Sequence, residues 1–426
     1  MAEAILIERI EEALAGAGPL ELMVGIPTYN NVATIGHVVR AAQAGLANYF
    51  GGRKALIVNS DGGSADGTLE AVERAGTNSH TVMSVRYPLE PVHHLTTPYH
   101  GLPGKGSAFR TLFQAAQAGQ ARALAVVDGN LNNIAPEWFD FLLGPILSQN
   151  FDYVAPYYKR DKYDGMMTSS IVYPLTRSLY GRRVRQPIGG EFGISGRLAS
   201  HFLKDEVWNT DVASYGLDIW MTTTAIADNF KVCQSHLGAK TREADGQGLD
   251  LSAVLVQVVG SVFNLMETHA AAWRNVLGSL PVPLLGSSPD VEPEPAPINL
   301  LEILHSFQQG VRDLLPVYEQ VFSSQQLKEL KLCAAEPAQQ FTLGDELWVS
   351  LIFELALAYH RRVMDREHLL KSFAPLYLGW VASFARQTEK ESAAEAESRI
   401  ERLCLVFEQL KSYLINQWPL ASREKR

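Results

Sequence analysis

Apolar positions in the first half of the chain come in short runs separated by polar, glycine-containing segments. Leu22–Ile26, Ala55–Val58, Val82–Tyr87, Ala123–Val127 and Tyr153–Pro156 are rich in Val, Ile, Leu and Ala and are bounded by turn residues. Such runs read as strands, and near-continuous apolar strands are expected in parallel sheets covered on both faces. Between them Thr34–Tyr49, Gly67–Ala75 and Gly106–Ala118 carry apolar residues at helical spacing, with Thr34 and Asp66 placed as N-caps. The alternation predicts an α/β fold, an open and mostly parallel Rossmann-like sheet with crossover helices.

The period changes after Leu249. Leu249–Thr268, Glu302–Leu315, Asp345–Val363 and Ser392–Ile415 read as amphipathic helices, and no further strand is expected. Closely spaced prolines between Leu277 and Asn299 exclude helix and favour an extended linker. The expected division is an α/β domain over residues 1–276, opening with a helix over 1–18, then a Pro-rich linker over 277–299 and an all-helical region over 300–426. The apolar faces of that last region read as core or as a homodimer contact, and no chemistry is assigned to Trp348 or Trp380.

Composition removes several function classes. The chain has 426 residues, 46% of them hydrophobic, enough to bury two cores. Thirty-seven Lys and Arg against 46 Asp and Glu give a net charge of −9, so there is no basic surface to follow a nucleic-acid backbone. Cys233, Cys333 and Cys404 lie far apart, which argues against a disulfide framework or a cysteine zinc site and fits a reducing compartment. The amino terminus is acidic and helix-like, and no uncharged apolar run reaches the ~18 residues of a membrane span. A soluble, cytoplasmic protein is expected.

Open α/β sheets bind ligands outside the carboxyl ends of their strands. Four such junctions carry chemistry: Pro27–Asn31, Asn59–Thr68, Gly101–Ser107 and Asp128–Asn133. Turn formation competes as the explanation at any single one. The first opens into a helix, whose N–H groups suit an anion. The second packs Asp61 and Asp66 among glycines, where a carboxylate can accept a base N–H. In the third, Lys105 stands between Gly104 and Gly106, a device for neutralising a diphosphate. It is not a P-loop, because Tyr99 occupies the position that motif reserves for glycine. The fourth, Asp128-Gly129-Asn130, puts a carboxylate at a strand end with a neutral amide where a second acid would complete a site for a hard cation.

Ile26-Pro27-Thr28-Tyr29-Asn30 and Asp61–Thr68 resemble the two opening motifs of GT-A glycosyltransferases. Gln186-Pro187-Ile188-Gly189-Gly190-Glu191 and Tyr215-Gly216-Leu217-Asp218-Ile219-Trp220 resemble segments of the mannosylglycerate synthase and glucosyl-3-phosphoglycerate synthase family. Those are retaining enzymes that transfer a sugar to glycerate or its phosphate in compatible-solute synthesis. The likeness runs from about Val24 to about Met266, with the motifs in the family's order. It implies a nucleotide-sugar site of Pro27, Tyr29, Asn30, Asp61, Gly104, Lys105, Asp128 and Gly129, with Glu191 and Asp218 as catalytic acids. Arg185, Gly189, Gly190 and Arg242 would bind the small anionic acceptor. A divalent cation, Mg2+ or Mn2+, would sit on Asp128, with Asn130 and His236 as further ligands.

The chain departs from the family twice. Asn130 replaces an acid, and Arg242 lies near the position of a metal-binding histidine, with His236 six residues earlier. Three readings stay open: a metal-independent transferase in which Arg242 and Lys105 supply the charge, a weakened metal site completed by Asn130, His236 or Asp245, or a non-catalytic sugar-nucleotide-binding protein. A nucleotidyltransferase would share the sheet and the lysine loop but matches poorly after Tyr153. The His93-His94 pair defines no further metal site.

Overall fold

The structure, a computed structural model, describes residues 8, 12, 18–76, 81–87, 102–210, 213, 216–240, 250–287, 293, 296 and 298–418. The helix expected over residues 1–18 lies outside them apart from Glu8, Glu12 and Gly18. The chain forms two compact units, one of Met1–Lys159, Val184–Leu249 and Pro281–Pro293, the other of Arg160–Arg183, Asp250–Leu280 and Glu294–Arg426. The sequence suggested one passage between domains, within 277–299; the chain instead passes between the units repeatedly.

The first unit is built on eight strands: β1 (Leu22–Thr28), β2 (Ala55–Asp61), β3 (Thr81–Arg86), β4 (Ala123–Val126), β5 (Tyr153–Tyr158), β6 (Phe192–Ser195), β7 (Val232–Gly238) and β8 (Leu284–Leu285). Their order across the sheet is β8-β7-β5-β6-β4-β1-β2-β3. All neighbours are parallel except β6, which runs antiparallel to β4 on one side and β5 on the other. The five strands expected from sequence are present, and β1, β2 and β5 extend two or three residues further than their apolar runs. β6, β7 and β8 were not expected. β7 reads Val-Cys-Gln-Ser-His-Leu-Gly, and its buried polar residues are matched: Gln234 Oε1 accepts from Arg185 N at 2.6 Å, and Ser235 Oγ donates to the Phe141 carbonyl at 2.8 Å. β8 is part of the proline segment expected to be a linker.

Among the described residues six α-helices belong to this unit: α1 (Ile35–Phe50), α2 (Thr68–Ala75), α3 (Lys105–Ala118), α4 (Glu137–Gln149), α5 (Gly196–Phe202) and α6 (Leu217–Ala227). Leu22, Val24 and Ile26 of β1 form one core with Val38, Val39 and Leu46 of α1 and with Phe139, Leu142 and Leu143 of α4. Gly25 admits α3 on the other face: a Cβ there would lie 2.8 Å from Leu112 Cδ1. Both faces of β1 are therefore covered, as its uninterrupted apolar run required. Thr34 does stand at the N-cap of α1 but makes no capping bond. Before α2 the cap position is Gly67, and Asp66 Oδ1 accepts the Thr68 N–H at 3.0 Å.

One buried carboxylate ties the amino ends of β5 and β7 to the carboxyl end of β6. Asp152, just before β5, accepts from Ser195 Oγ at 2.9 Å, from Arg197 Nε at 2.5 Å and from the Lys231 N–H at 3.1 Å. Burial pushes this carboxyl up, but the Arg197 guanidinium, the Lys231 N–H and the Ser195 hydroxyl outweigh it and hold it below the ordinary carboxylate range.

The second unit is helical. Arg177, on Tyr173–Tyr180, is almost wholly buried and donates to Glu408 Oε1 at 2.8 Å, to Glu401 Oε2 at 2.6 Å and to Ser279 Oγ at 3.1 Å. Lys411 donates to the carbonyls of Ser178 at 2.8 Å and Val276 at 2.7 Å. These bonds explain why 160–183 belongs with the carboxyl-terminal helices and not with the sheet. Leu251–Thr268 is long and apolar enough to cross a bilayer, yet 56% of it is buried within the protein, as in a core helix.

Replacing Asp152 with Asn should cost about 2 kcal/mol at pH 7, the scale of hydrogen bonds to a charged group. Because the folded carboxyl titrates below its unfolded value, that stability is present above the unfolded pKa of about 4 and is lost as pH falls through the folded one. Urea denaturation of both proteins at pH 7 and pH 3 checks this: the gap between them should narrow at the lower pH.

Candidate active site at the carboxyl edge of the sheet

The loops after β1, β2 and β4 are bonded to one another. Asn30, at φ +55°, accepts the Ala65 N–H on Oδ1 at 3.0 Å and donates its own N–H to Ser64 Oγ at 2.8 Å. The Val32 N–H donates to Asp66 Oδ2 at 2.9 Å, and Thr34 Oγ1 donates to the Gly129 carbonyl at 2.7 Å. Gly129 lies against the end of β1: a Cβ would be 2.7 Å from Thr28 Cγ2 and 3.0 Å from the Pro27 carbonyl. Residues from three sequence motifs are thereby brought together.

Asp61 is fully buried inside this frame. Its Oδ1 accepts from Thr28 Oγ1 at 3.0 Å and Ser64 Oγ at 2.6 Å, and its Oδ2 from the N–H groups of Gly63 at 2.8 Å and Ser64 at 2.9 Å. A carboxylate has about four acceptor positions. Asp61 thus shapes the turn. Beside it Tyr29 packs on Tyr87, Leu102 and Ala108. Burial, with Asp61 nearby, pushes the Tyr87 hydroxyl far above its ordinary value, and it donates to the Pro103 carbonyl at 2.8 Å.

Gly104, at φ +63°, precedes α3, and Lys105 is the first helical residue. The macrodipole disfavours a cation at that end and favours an anion in the first turn of α6, where Asp218 stands. Lys105 Nζ lies 2.6 Å from Asp218 Oδ1, the two side chains 5% and 2% exposed. Lys105 is therefore already matched by an internal anion and is not the free cation its glycine loop suggested.

The most concentrated chemistry comes from four neighbouring strands. Because β6 runs against the sheet, its start lies where β4 and β5 end. Glu191 immediately precedes β6, Asp128 follows β4 by two residues, Tyr158 ends β5 and Lys240 follows β7 by two. Lys240 Nζ bonds to Glu191 (2.6 Å to Oε1) and to the Gly189 carbonyl at 2.9 Å, and lies 3.6 Å from Asp128 Oδ2. It also stands 5.4 Å from the centre of the Tyr158 ring, whose hydroxyl donates to Glu191 Oε2. The two glycines before Glu191 are required by geometry: a Cβ at Gly189 would meet Pro156 Cγ at 2.0 Å, and Gly190 has φ +94°. Gln186 pairs with both backbone groups of Tyr158, at 3.1 and 2.8 Å, and half-buried Arg185 enters the same segment.

For a cation, Asp128 offers a carboxylate, and Asn130 Oδ1 is buried without a hydrogen-bond partner. These two hard oxygens fit a divalent ion that takes its remaining ligands from a bound phosphate. His236 is the further ligand that the resemblance implies. It lies within β7, opposite Tyr157 in register, with its ring edge-on to the tyrosine at 4.9 Å, and burial lowers its pKa. Among the described residues no group of three or more His, Cys, Asp or Glu side chains could hold a metal. Arg242, Asp245 and His93-His94 lie outside the described residues.

Sequence reasoning missed Lys240 and the role of Tyr158. Lys240 sits in Gly238-Ala239-Lys240, directly after the last long strand, in the run where the resemblance favoured Arg242. An open groove of about 600 Å³ lies at the opposite edge of the sheet, bordered by Arg122, Asn150, Asp152, Arg197 and Lys231. Its carboxylate is occupied in holding strands.

No family model matches the chain, and no curated protein matches it. Solved structures do. One is glucosyl-3-phosphoglycerate synthase from Mycobacterium tuberculosis with Mn2+, UDP and glucosyl-3-phosphoglycerate, 22% identical, covering 62% of this chain and 84% of that one, with a TM-score of 0.44. The same enzyme with Mg2+ and UDP is 21% identical over 62% of this chain and 83% of that one, TM-score 0.43. A further mycobacterial protein is 21% identical over 62% and 78%, TM-score 0.43.

The Lys105–Asp218 pair should show strong coupling. Lys105→Met or Asp218→Asn alone strands a buried partner and should each cost about 3 kcal/mol. The double variant should cost at least 1 kcal/mol less than the sum, by chemical denaturation, in line with roughly 0.5–3 kcal/mol couplings between contacting residues.

Proposed function

We propose that this chain is a glycosyltransferase that moves a sugar from a nucleoside-diphosphate sugar to a small anionic acceptor such as glycerate or 3-phosphoglycerate, with retention at the anomeric carbon. The observation that carries the reading is the convergence of Asp128, Glu191, Tyr158 and Lys240 from four neighbouring strand termini onto the edge where the loops of Asn30 and Asp61 are joined. The nucleotide is assigned to those loops, with Tyr29 as an aromatic surface for the base. Pro27, Gly104 and Gly129 shape the path of the diphosphate, and Arg185 with Gly189 and Gly190 faces the acceptor, a guanidinium being suited to a carboxylate or phosphate.

Asp128 and Asn130 would hold a divalent cation, which supplies positive charge to the departing diphosphate. Glu191 and Asp218 are each paired with a lysine, so neither is poised as a general base. That favours front-face transfer, in which the leaving diphosphate takes the acceptor proton and the acids act electrostatically on an oxocarbenium-like transition state. The cytoplasm is the proposed location, in keeping with three free cysteines.

A non-catalytic sugar-nucleotide-binding protein is the second reading, favoured by the single carboxylate of Asp128-Gly129-Asn130. A panel of UDP- and GDP-sugars with glycerate and 3-phosphoglycerate, with magnesium or manganese, separates the two. Turnover is expected, and binding by calorimetry without any turnover would replace the first reading with the second. Asp128→Ala should lower kcat about 100-fold, the scale of losing one electrostatic element of a transition-state site.

A further inference from the structure

Two carboxylates lie close together where the proposed diphosphate would sit. Glu191 is fully buried and Asp128 nearly so. Lys240 Nζ is shared between them unequally: bonded to Glu191 and to the Gly189 carbonyl, and 3.6 Å from Asp128. An ammonium has three donors. Those bonds and the Tyr158 ring hold it on Glu191, so it is placed as a counter-ion more than as a phosphate ligand.

Charge makes this placement consequential. Bare, the buried Glu191 carboxylate would repel a diphosphate brought beside it; Lys240, bonded to both of its oxygens, offsets that charge. Lys105 is not placed to do this, because Asp218 already matches it at 2.6 Å.

We propose that Lys240 is the counter-ion of the donor pocket: it cancels Glu191 so that a diphosphate can bind beside Asp128. The inference rests on the transferase reading and adds a positioning residue to it. Lys240 acts through Glu191, so its effect is on the diphosphate and not on the nucleoside.

The test is calorimetric binding of UDP, GDP and ADP, each with magnesium, and of the matching nucleosides. In Lys240→Gln, affinity for the diphosphate that binds best should fall about tenfold or more, as expected for one charge at close range in a partly dry site. Nucleoside affinity should be unchanged. The double variant Glu191→Gln/Lys240→Gln restores the charge balance and should recover diphosphate binding to near the wild-type level. Glu191→Gln alone should bind the diphosphate more tightly than wild type, and it serves as the deciding variant if Lys240→Gln does not fold.

Equal diphosphate binding by wild type and Lys240→Gln would overturn the inference and leave the transferase reading standing. Loss that the double variant does not recover would make Lys240 a direct phosphate ligand, also overturning it. If Glu191→Gln binds no tighter than wild type, the counter-ion role is wrong. Failure of wild-type protein to bind any of the three diphosphates would remove the transferase reading and the inference with it.

Discussion

A strand laid backwards between two parallel neighbours is the constraint on which the carboxyl edge of the sheet depends. β6 has only four residues, and it is held at both ends by charge. Behind it, Ser195 and Arg197 bond to Asp152. In front of it, Glu191 is gripped by Lys240 and Tyr158. Backbone pairing with β4 and β5 sets the register between these anchors, so an acid is delivered to the carboxyl edge by a strand that starts there. In a wholly parallel sheet that position would receive only residues leaving a strand, never residues entering one.

The same edge shows how buried charge is organised. Lys105 meets Asp218 and Lys240 meets Glu191, so each acid assigned to catalysis has its own ammonium. Removing such groups from water is costly unless geometry and further hydrogen bonds compensate. The Gly189 carbonyl and the Tyr158 hydroxyl provide this for one pair, and the helix dipole at Asp218 for the other. Asp128 stands farther from Lys240 than Glu191 does, and its near neighbour in sequence is the unmatched oxygen of Asn130.

Much of the fold was legible because its signals are local. The apolar runs of β1 to β5 and the helical spacing of α1, α2 and α3 require only neighbouring residues to agree. β6 and β7 were hidden for a physical reason: Phe-Gly-Ile-Ser is too short to show a period, and Gln234, Ser235 and His236 make β7 look like a loop until their partners are seen. The site motifs around Asn30, Asp61, Lys105, Asp128 and Glu191 were found as segments, but the partners of their side chains were not. That Lys105 is held in an ion pair with Asp218 depends on a contact far along the chain, as does the approach of Lys240 to Glu191.

β8 carries a consequence of another kind. It adds only Leu284 and Leu285 to the outer side of β7, between segments rich in proline, and the Pro283 carbonyl receives the Gln234 N–H at 2.8 Å. Proline has no N–H to offer a further strand, and a two-residue rim gives an incoming chain almost nothing to pair with. The segment therefore serves as a selvedge: it finishes the sheet on that side and guards the protein against self-association through its own backbone.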